Sequence, residues 1–496
     1  MTIVDKKKLY YTQHATDMVN NNTPEAAPLD KRSKTNLEFL VKSFGKNYVV
    51  GGDPKFPGNS YLKDRQGDIN NLKSVSSDVI FDSNDISVRN QYVKYRPGFK
   101  FNDEEFPASR QSLIGTSKGG NNQKLAGNLT NFLDSVTWKR ISEIDTNIKM
   151  VVDGIKPEDI IQGALFDAYF LSAVAAVAEY QSRIRRLLIS KEFNKDGIYH
   201  LAINKMGVWE MITIDDQIPI MKDEKGKEWL LGGNTADNEI WVALLEKAYL
   251  KTIGSYENGG TGGNVAHALS DLTGAPTEIF YIDEFEGDAE GQVDPNYDPN
   301  SKDLSKLQGK DKLWRILKNA DIDKHIVCAA TKNSLALKQQ YYNDFENWSA
   351  QGSSDGKLIE DFVIETFGLY PAFCYTFLGI SEYNGEKLVR LRNSKGKTEW
   401  KGDWGDLSEK WINIRKDFRA KKKADGIFYM PMSDFINMFD FACVNYHNET
   451  HIHSAFTDTL TIGMLNCYEL EVRSPGKFYI TVHQMDRKNS NNRGIF

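Results

Sequence analysis

Cysteine is scarce in this chain. Cys328, Cys374, Cys443 and Cys467 are spread widely over 496 residues, each among apolar or aromatic neighbours. No pair has the close spacing of a zinc knuckle, and the set does not support a disulfide scaffold. The reading is of reduced, buried thiols in a cytosolic protein. Long apolar runs are missing too: none approaches about 18 residues, so nothing is expected to span a membrane. The N-terminus, Met1 to Lys8, lacks the apolar core of a secretory signal. A net charge of -6 leaves no strong basic field for nonspecific nucleic-acid binding. No Asp-x-Asp-x-Asp-Gly loop is present, which removes an EF-hand.

What is present is an ordinary globular profile, 40% apolar and 26% charged, long enough for two or three domains. Residues 1–97 are polar, rich in Asn, Gly, Lys and Asp, and read as an extended arm ordered against the main body or a partner. From Phe101 the character changes. Ser182 to Leu188 reads as a basic helix, Ile198 to Ile203 and Trp209 to Ile214 as strands, and Asp215 to Pro219 as a turn. Glu239 to Thr252 has Trp241, Leu244, Leu245, Ala248 and Tyr249 at helical spacing. The glycines between Gly259 and Gly263 lack the strand and the Lys-Ser/Thr of a phosphate cradle and read as a hinge between halves. An acidic insertion, Asp283 to Lys312, precedes a helix over Leu313 to Asn319. Strands are expected at Ile326 to Ala330, Ala372 to Ile380, Glu386 to Arg392 and Gly426 to Met430, then a helix at Ser433 to Phe441. Tyr468 to Val472 and Lys477 to His483 read as strands of a β unit that ends too early to close a sandwich.

The centre of the chain is Gln162 to Ala173, where a polar turn passes into an alanine-rich run that reads as a buried helix. Gln and Asp ahead of a buried helix is the setting in which a thiol protease places its nucleophile, because the helix N-terminus favours a thiolate. The residue at that point is Ala168. A methyl group cannot attack a carbonyl.

Several segments together resemble the calpain protease core over roughly Phe101 to Tyr446. Gln162-Gly163-Ala164-Leu165-Phe166-Asp167-Ala168-Tyr169-Phe170-Leu171-Ser172-Ala173 is similar to the family's Gln-Gly-x-Leu-Gly-Asp-Cys-Trp-Leu-Leu-x-Ala. Leu244 to Tyr249, Gly254-Ser255-Tyr256, Leu272-Thr273-Gly274 and Arg392 to Asp403 follow in the family's order. The resemblance implies an α+β, papain-like fold: residues 98–258 as a helical subdomain, 259–445 as a β-rich one, and 446–496 as the start of a β-sandwich. Position by position, it places Gln162 at the oxyanion donor, Ala168 at the nucleophile, Phe373 at the general base and Asn393 at the residue that orients the base. Phe166 stands for a Gly, and Lys395 for the Trp that shields the Asn. These distributed changes imply a natural, catalytically inactive member rather than a single inactivating substitution. Cys374 adjoins Phe373 but falls on the opposite strand face, with no His placed to activate it. His447, His451 and His453 have a metal-like spacing in what reads as a solvated linker.

The resemblance also implies two core calcium sites. One draws on Val152, Gly154 and Asp159, with Val208 in place of its Glu; the other draws on Glu399, Asp406 and Asp425, with Ile427 in place of another Glu. Each loses a carboxylate, so no cofactor is expected beyond weakened calcium binding. The leading reading is a non-catalytic structural or interaction module with protein partners in the cytoplasm, in a cytoskeletal, ciliary or axonemal assembly. Two competitors are an active calcium-dependent cysteine endopeptidase and a non-catalytic calcium-responsive regulator.

Overall fold

A computed structural model describes residues 100–115, 136–222, 225–235, 237–285, 304, 307–350, 358–412, 414, 425–449, 476 and 478–483. The arm over residues 1–97 and the expected strand at Tyr468 to Val472 lie outside them. The strands are β1 Thr137–Arg140, β2 Ile160–Ile161, β3 Ile198–Lys205, β4 Val208–Asp215, β5 Gln217–Lys222, β6 Glu228–Leu230 and β7 Asn234–Thr235. They continue with β8 Thr277–Tyr281, β9 Ile326–Thr331, β10 Cys374–Tyr383, β11 Glu386–Asn393, β12 Ile427–Pro431 and β13 Phe439–Asn445.

The helix Ala168–Ala178 is buried along all 11 residues, as its lack of polar positions dictates. It packs against the helix Val265–Thr273 on one side and against β9 and β10 on the other. Trp241–Ile253 completes this first core, which also takes in Tyr199, Leu201 and Ile203 of β3. Trp241–Ile253 stops at Gly254, whose φ of 103° returns its N–H to the Leu250 and Lys251 carbonyls. The second core lies on the opposite face of a six-stranded antiparallel sheet ordered β12-β11-β10-β9-β13-β8. Asn384 and Gly385, both left-handed with φ of 49° and 84°, make the two-residue turn that pairs β10 with β11.

Several expectations change. The Asp215 to Pro219 turn is only a corner: β5 begins at Gln217, and Pro219 lies in it opposite Trp138. The Ser433 to Phe441 helix is Met432–Met438, after which Phe439–Asn445 crosses as β13 between β9 and β8. Its apolar run fits either period, and long-range pairing decides. The helix expected at Leu313 to Asn319 extends over Gly309–Ile322, so it takes up the end of the acidic insertion. Residues 478–483 carry no strand.

The glycine stretch is not a free hinge. Gly259 and Gly260 end the short helix Tyr256–Gly260 and are buried. A Cβ on Gly260 would lie 2.8 Å from Leu165 Cδ2, and one on Gly263 2.5 Å from the Tyr169 ring. These glycines let the following chain press against the segment around Ala168. That close approach, not flexibility, is their use.

Candidate functional site

Asp167 caps the central helix and Ala168 opens it. Two glycines allow this segment its position. A Cβ on Gly163 would stand 2.1 Å from the Gly232 carbonyl oxygen, and one on Gly232 would collide with Glu246 Oε2. Glycine at both therefore brings the Gln162–Gly163 backbone, the 231–233 segment between β6 and β7 and the Glu246 carboxyl into one stack. Glu246 Oε1 accepts from the Gly233 N–H at 2.8 Å. Asp167 and Glu246 are both fully buried. Burial pushes both carboxyls up, and the neighbouring Asp167 charge pushes Glu246 further, well above its ordinary value. Among the described residues no N–H or hydroxyl reaches the Asp167 carboxylate oxygens. Two buried carboxyls thus face each other beneath the head of the helix, each disfavoured in its charged form.

Opposite the helix head lies Phe373, which shares one buried cluster with Ala168. Its backbone is pinned to Thr331 by reciprocal bonds: the Phe373 N–H donates to Thr331 Oγ1 at 3.0 Å, and the Thr331 N–H donates to the Phe373 carbonyl at 3.0 Å. The ring lies 5.2 Å from Tyr370 and 5.4 Å from Tyr375. Lys395 extends over this floor, its ammonium 4.3 Å from the Tyr370 centroid and 5.6 Å from that of Phe373. A cation over an aromatic face is the reverse of a shielded neutral base.

Asn393 is fully used by its own loop. Its Nδ2 donates to the Lys397 and Thr398 carbonyls at 2.8 and 3.0 Å, and its Oδ1 accepts from the Lys395 N–H at 2.9 Å. Gln162 is likewise occupied: Nε2 donates to the Leu165 carbonyl at 2.7 Å, and Oε1 accepts from the Ser394 hydroxyl at 3.1 Å. The Ser394 hydroxyl supplies that donor. The Gln162 N–H also donates to the Ser394 carbonyl at 2.9 Å. The structure thus brings Gln162, Ala168, Phe373 and Asn393 to one place. It commits both amide side chains to structural bonds.

Cys374 points away from Phe373, against the first core, while Phe373 faces the second. Burial pushes its thiol up to about 12, so thiolate is negligible at neutral pH. His447 is described, whereas His451 and His453 lie outside the described residues. Three groups escaped the sequence reading. Glu246, Ser394 and Tyr370 each lie in a segment that resembles the family but were given no role. The one available signal was Glu246 on the apolar side of Trp241–Ile253.

In the first acidic loop the Asp159 carboxylate accepts from the Lys156 N–H at 2.7 Å, and Glu239 accepts from the Val152 N–H. Asp153 and Gly154 turn the loop with φ of 51° and 91°. In the second, Glu399 Oε1 accepts from the Asp425 and Gly426 N–H groups at 3.0 and 2.8 Å. Burial pushes Glu399 up to about 7, with the charges of Asp406 and Asp425 adding to it. Val208 is exposed at the start of β4, and Ile427 opens β12. Among the described residues no three His, Cys, Asp or Glu side chains gather to hold a metal ion. The side chains in place do not fit a calcium ion without releasing backbone donors.

A buried helix packed against an antiparallel sheet, with Gln162 bonded to the loop that follows Asn393, gives an α+β architecture. The profile described as calpain family cysteine protease matches residues 101–445, and the chain belongs to that family. Similar proteins include human calpain-14, 30% identical over 354 residues, and the human calpain-1 catalytic subunit, 31% identical over 355. Rat calpain-8 is 30% identical over 352 residues. Each match covers 69% of this chain but only 41% or 42% of the relative. Among the described residues no helix is long and apolar enough to cross a membrane.

Proposed function

We propose that this calpain-family chain does not cleave peptides and serves as an interaction module. Its core keeps the fold of the site and presents the surface to an extended polypeptide. The observation that carries this reading is the pairing of Ala168 at the helix head with Phe373 beneath the Lys395 ammonium. A thiol protease needs a thiolate, a base that moves a proton, and a donor to the oxyanion. Ala168 and Phe373 bring neither of the first two, and the Gln162 amide already donates to Leu165. Asn393 and Glu246 support the loop and the helix head instead.

The test is turnover of a fluorogenic peptide and of casein by the full chain, with millimolar calcium and with chelator. No cleavage above background is expected in either condition. Calcium-dependent turnover blocked by a thiol inactivator would establish the competing endopeptidase. The cellular setting we infer is a cytoplasmic cytoskeletal, ciliary or axonemal assembly, which rests on the resemblance alone. Uniform distribution of the tagged chain, without enrichment on such structures, would remove it.

The raised Glu399, close to Asp406 and Asp425, favours a second reading, a calcium-responsive regulator. A divalent cation would relieve that crowding, at the cost of the backbone bonds Glu399 now makes. Calorimetry at millimolar calcium separates the two, since an interaction module with no calcium response gives no binding heat.

A further inference from the structure

The side chains that displace the catalytic positions form a surface of their own. Lys395 is half-buried on Tyr370 and Phe373, and its backbone is fixed by Asn393 Oδ1. Among the described residues no carboxylate lies within ion-pair distance of its ammonium, whereas Lys205, Lys247, Lys251, Lys387 and Lys410 all have one. On the other side of the site Phe166 is 56% exposed, an aromatic ring held out by a fixed backbone whose N–H donates to the Gly260 carbonyl at 2.8 Å. Their segments are bonded to each other. The Gln162 N–H to Ser394 carbonyl bond and the Ser394 hydroxyl to Gln162 bond tie the Phe166 segment to the Lys395 loop.

An ammonium seated on an aromatic floor, with no carboxylate partner among the described residues, on a loop bonded to the segment of an exposed ring, matches a ligand with a carboxylate beside an apolar group. We propose that this surface docks an acidic, extended segment of a partner protein: a Glu or Asp side chain pairs with Lys395 and a flanking apolar residue packs on Phe166. The inference rests on the reading of the core as a non-cleaving polypeptide-binding module and names what that module selects. The cation–π seat matters to the energetics. It holds the ammonium in place before binding, so little side-chain freedom is lost when the carboxylate arrives. Partial desolvation by the rings strengthens the pair over one on an open surface.

The experiment is fluorescence anisotropy on the full chain with a short fluorescein-labelled peptide of alternating leucine and glutamate, its glutamine isostere, and its lysine counterpart. The glutamate peptide is expected to bind, with affinity falling as salt rises. The glutamine isostere should bind at least about tenfold more weakly, and the lysine peptide more weakly still. Lys395→Met should lose the preference for glutamate over glutamine and Lys395→Arg should keep it; an unchanged denaturation midpoint shows that each variant folds. Phe166→Ala should weaken both the acidic and the neutral peptide. Equal binding of the glutamate and glutamine peptides, or a preference that survives Lys395→Met, overturns the acidic selectivity and leaves the polypeptide-binding reading in place. No binding by any of the three removes both.

Discussion

At the scale of single residues, the positions that resemble catalytic ones are shaped by their neighbours. Ser394 engages Gln162, and the 393–398 loop engages Asn393. Restoring the nucleophile alone, Ala168→Cys, is therefore expected to leave peptide cleavage at background. The double variant Ala168→Cys with Phe373→His should also stay there, because the new imidazole meets the Lys395 cation and has no free amide to orient it; turnover by either variant, followed with a fluorogenic peptide, would contradict this. The Asp167–Glu246 pair supplies a pH prediction. Both folded-state carboxyls are raised, so protons are held more tightly folded than unfolded. Their contribution to stability is complete below the ordinary carboxylate value of about 4 and declines as pH climbs through the raised folded value. Gln at 246 keeps the bond from the Gly233 N–H without titrating. Relative to the native chain, Glu246→Gln should lose this decline, by at most about 1.4 kcal/mol per pH unit, in denaturation midpoints measured across the neutral range.

At the scale of elements, the stack of Gly163, the 231–233 segment and Glu246 fixes where the central helix begins. A methyl at 163 has backbone oxygens of Gly232 and Leu231 at 2.1 and 2.5 Å, and neither can rotate away. Gly163→Ala is expected to destabilise by at least about 1–3 kcal/mol, read as a lower urea midpoint. Gly226→Ala, where nothing lies within 4 Å of the added carbon, is a control for glycine replacement at a left-handed φ of 78°. Most elements were legible here. The β3–β4 hairpin, the sheet strands β9 to β12 and the helix Trp241–Ile253 follow from period and punctuation. The errors fell where an apolar run fits two periods, as at Phe439 to Asn445, or where glycine serves contact instead of freedom, as at Gly260 and Gly263.

At the scale of the molecule, the two cores are joined by a small set of bonds. Arg392, fully buried, donates through Nη2 to the Ile160 carbonyl at 2.6 Å and the Glu158 carbonyl at 3.2 Å. Ser172 Oγ donates to the Cys374 carbonyl at 2.7 Å, and Thr376 Oγ1 donates to the Ser172 carbonyl at 2.8 Å. Burial pushes the Arg392 guanidinium down to about 10, still charged at neutral pH, with Glu158, Asp425 and Asp159 opposing the shift. Arg392→Met removes charge-assisted bonds and strands two carbonyls. A loss of about 2–4 kcal/mol is expected in urea unfolding, with faster proteolysis between the two cores. Ser172→Ala removes a neutral bond and should cost nearer 1 kcal/mol.

The sequence by itself determined the family, the α+β class and the buried helix after Gln162, because these are carried by local pattern and ordered motifs. Only the tertiary structure decided that Glu246 is buried beside Asp167, that Ser394 engages Gln162, and that Lys395 covers Phe373. Each of those pairs is distant in the chain, and its chemistry comes into being only when burial removes water and close packing brings the two groups within a few ångströms.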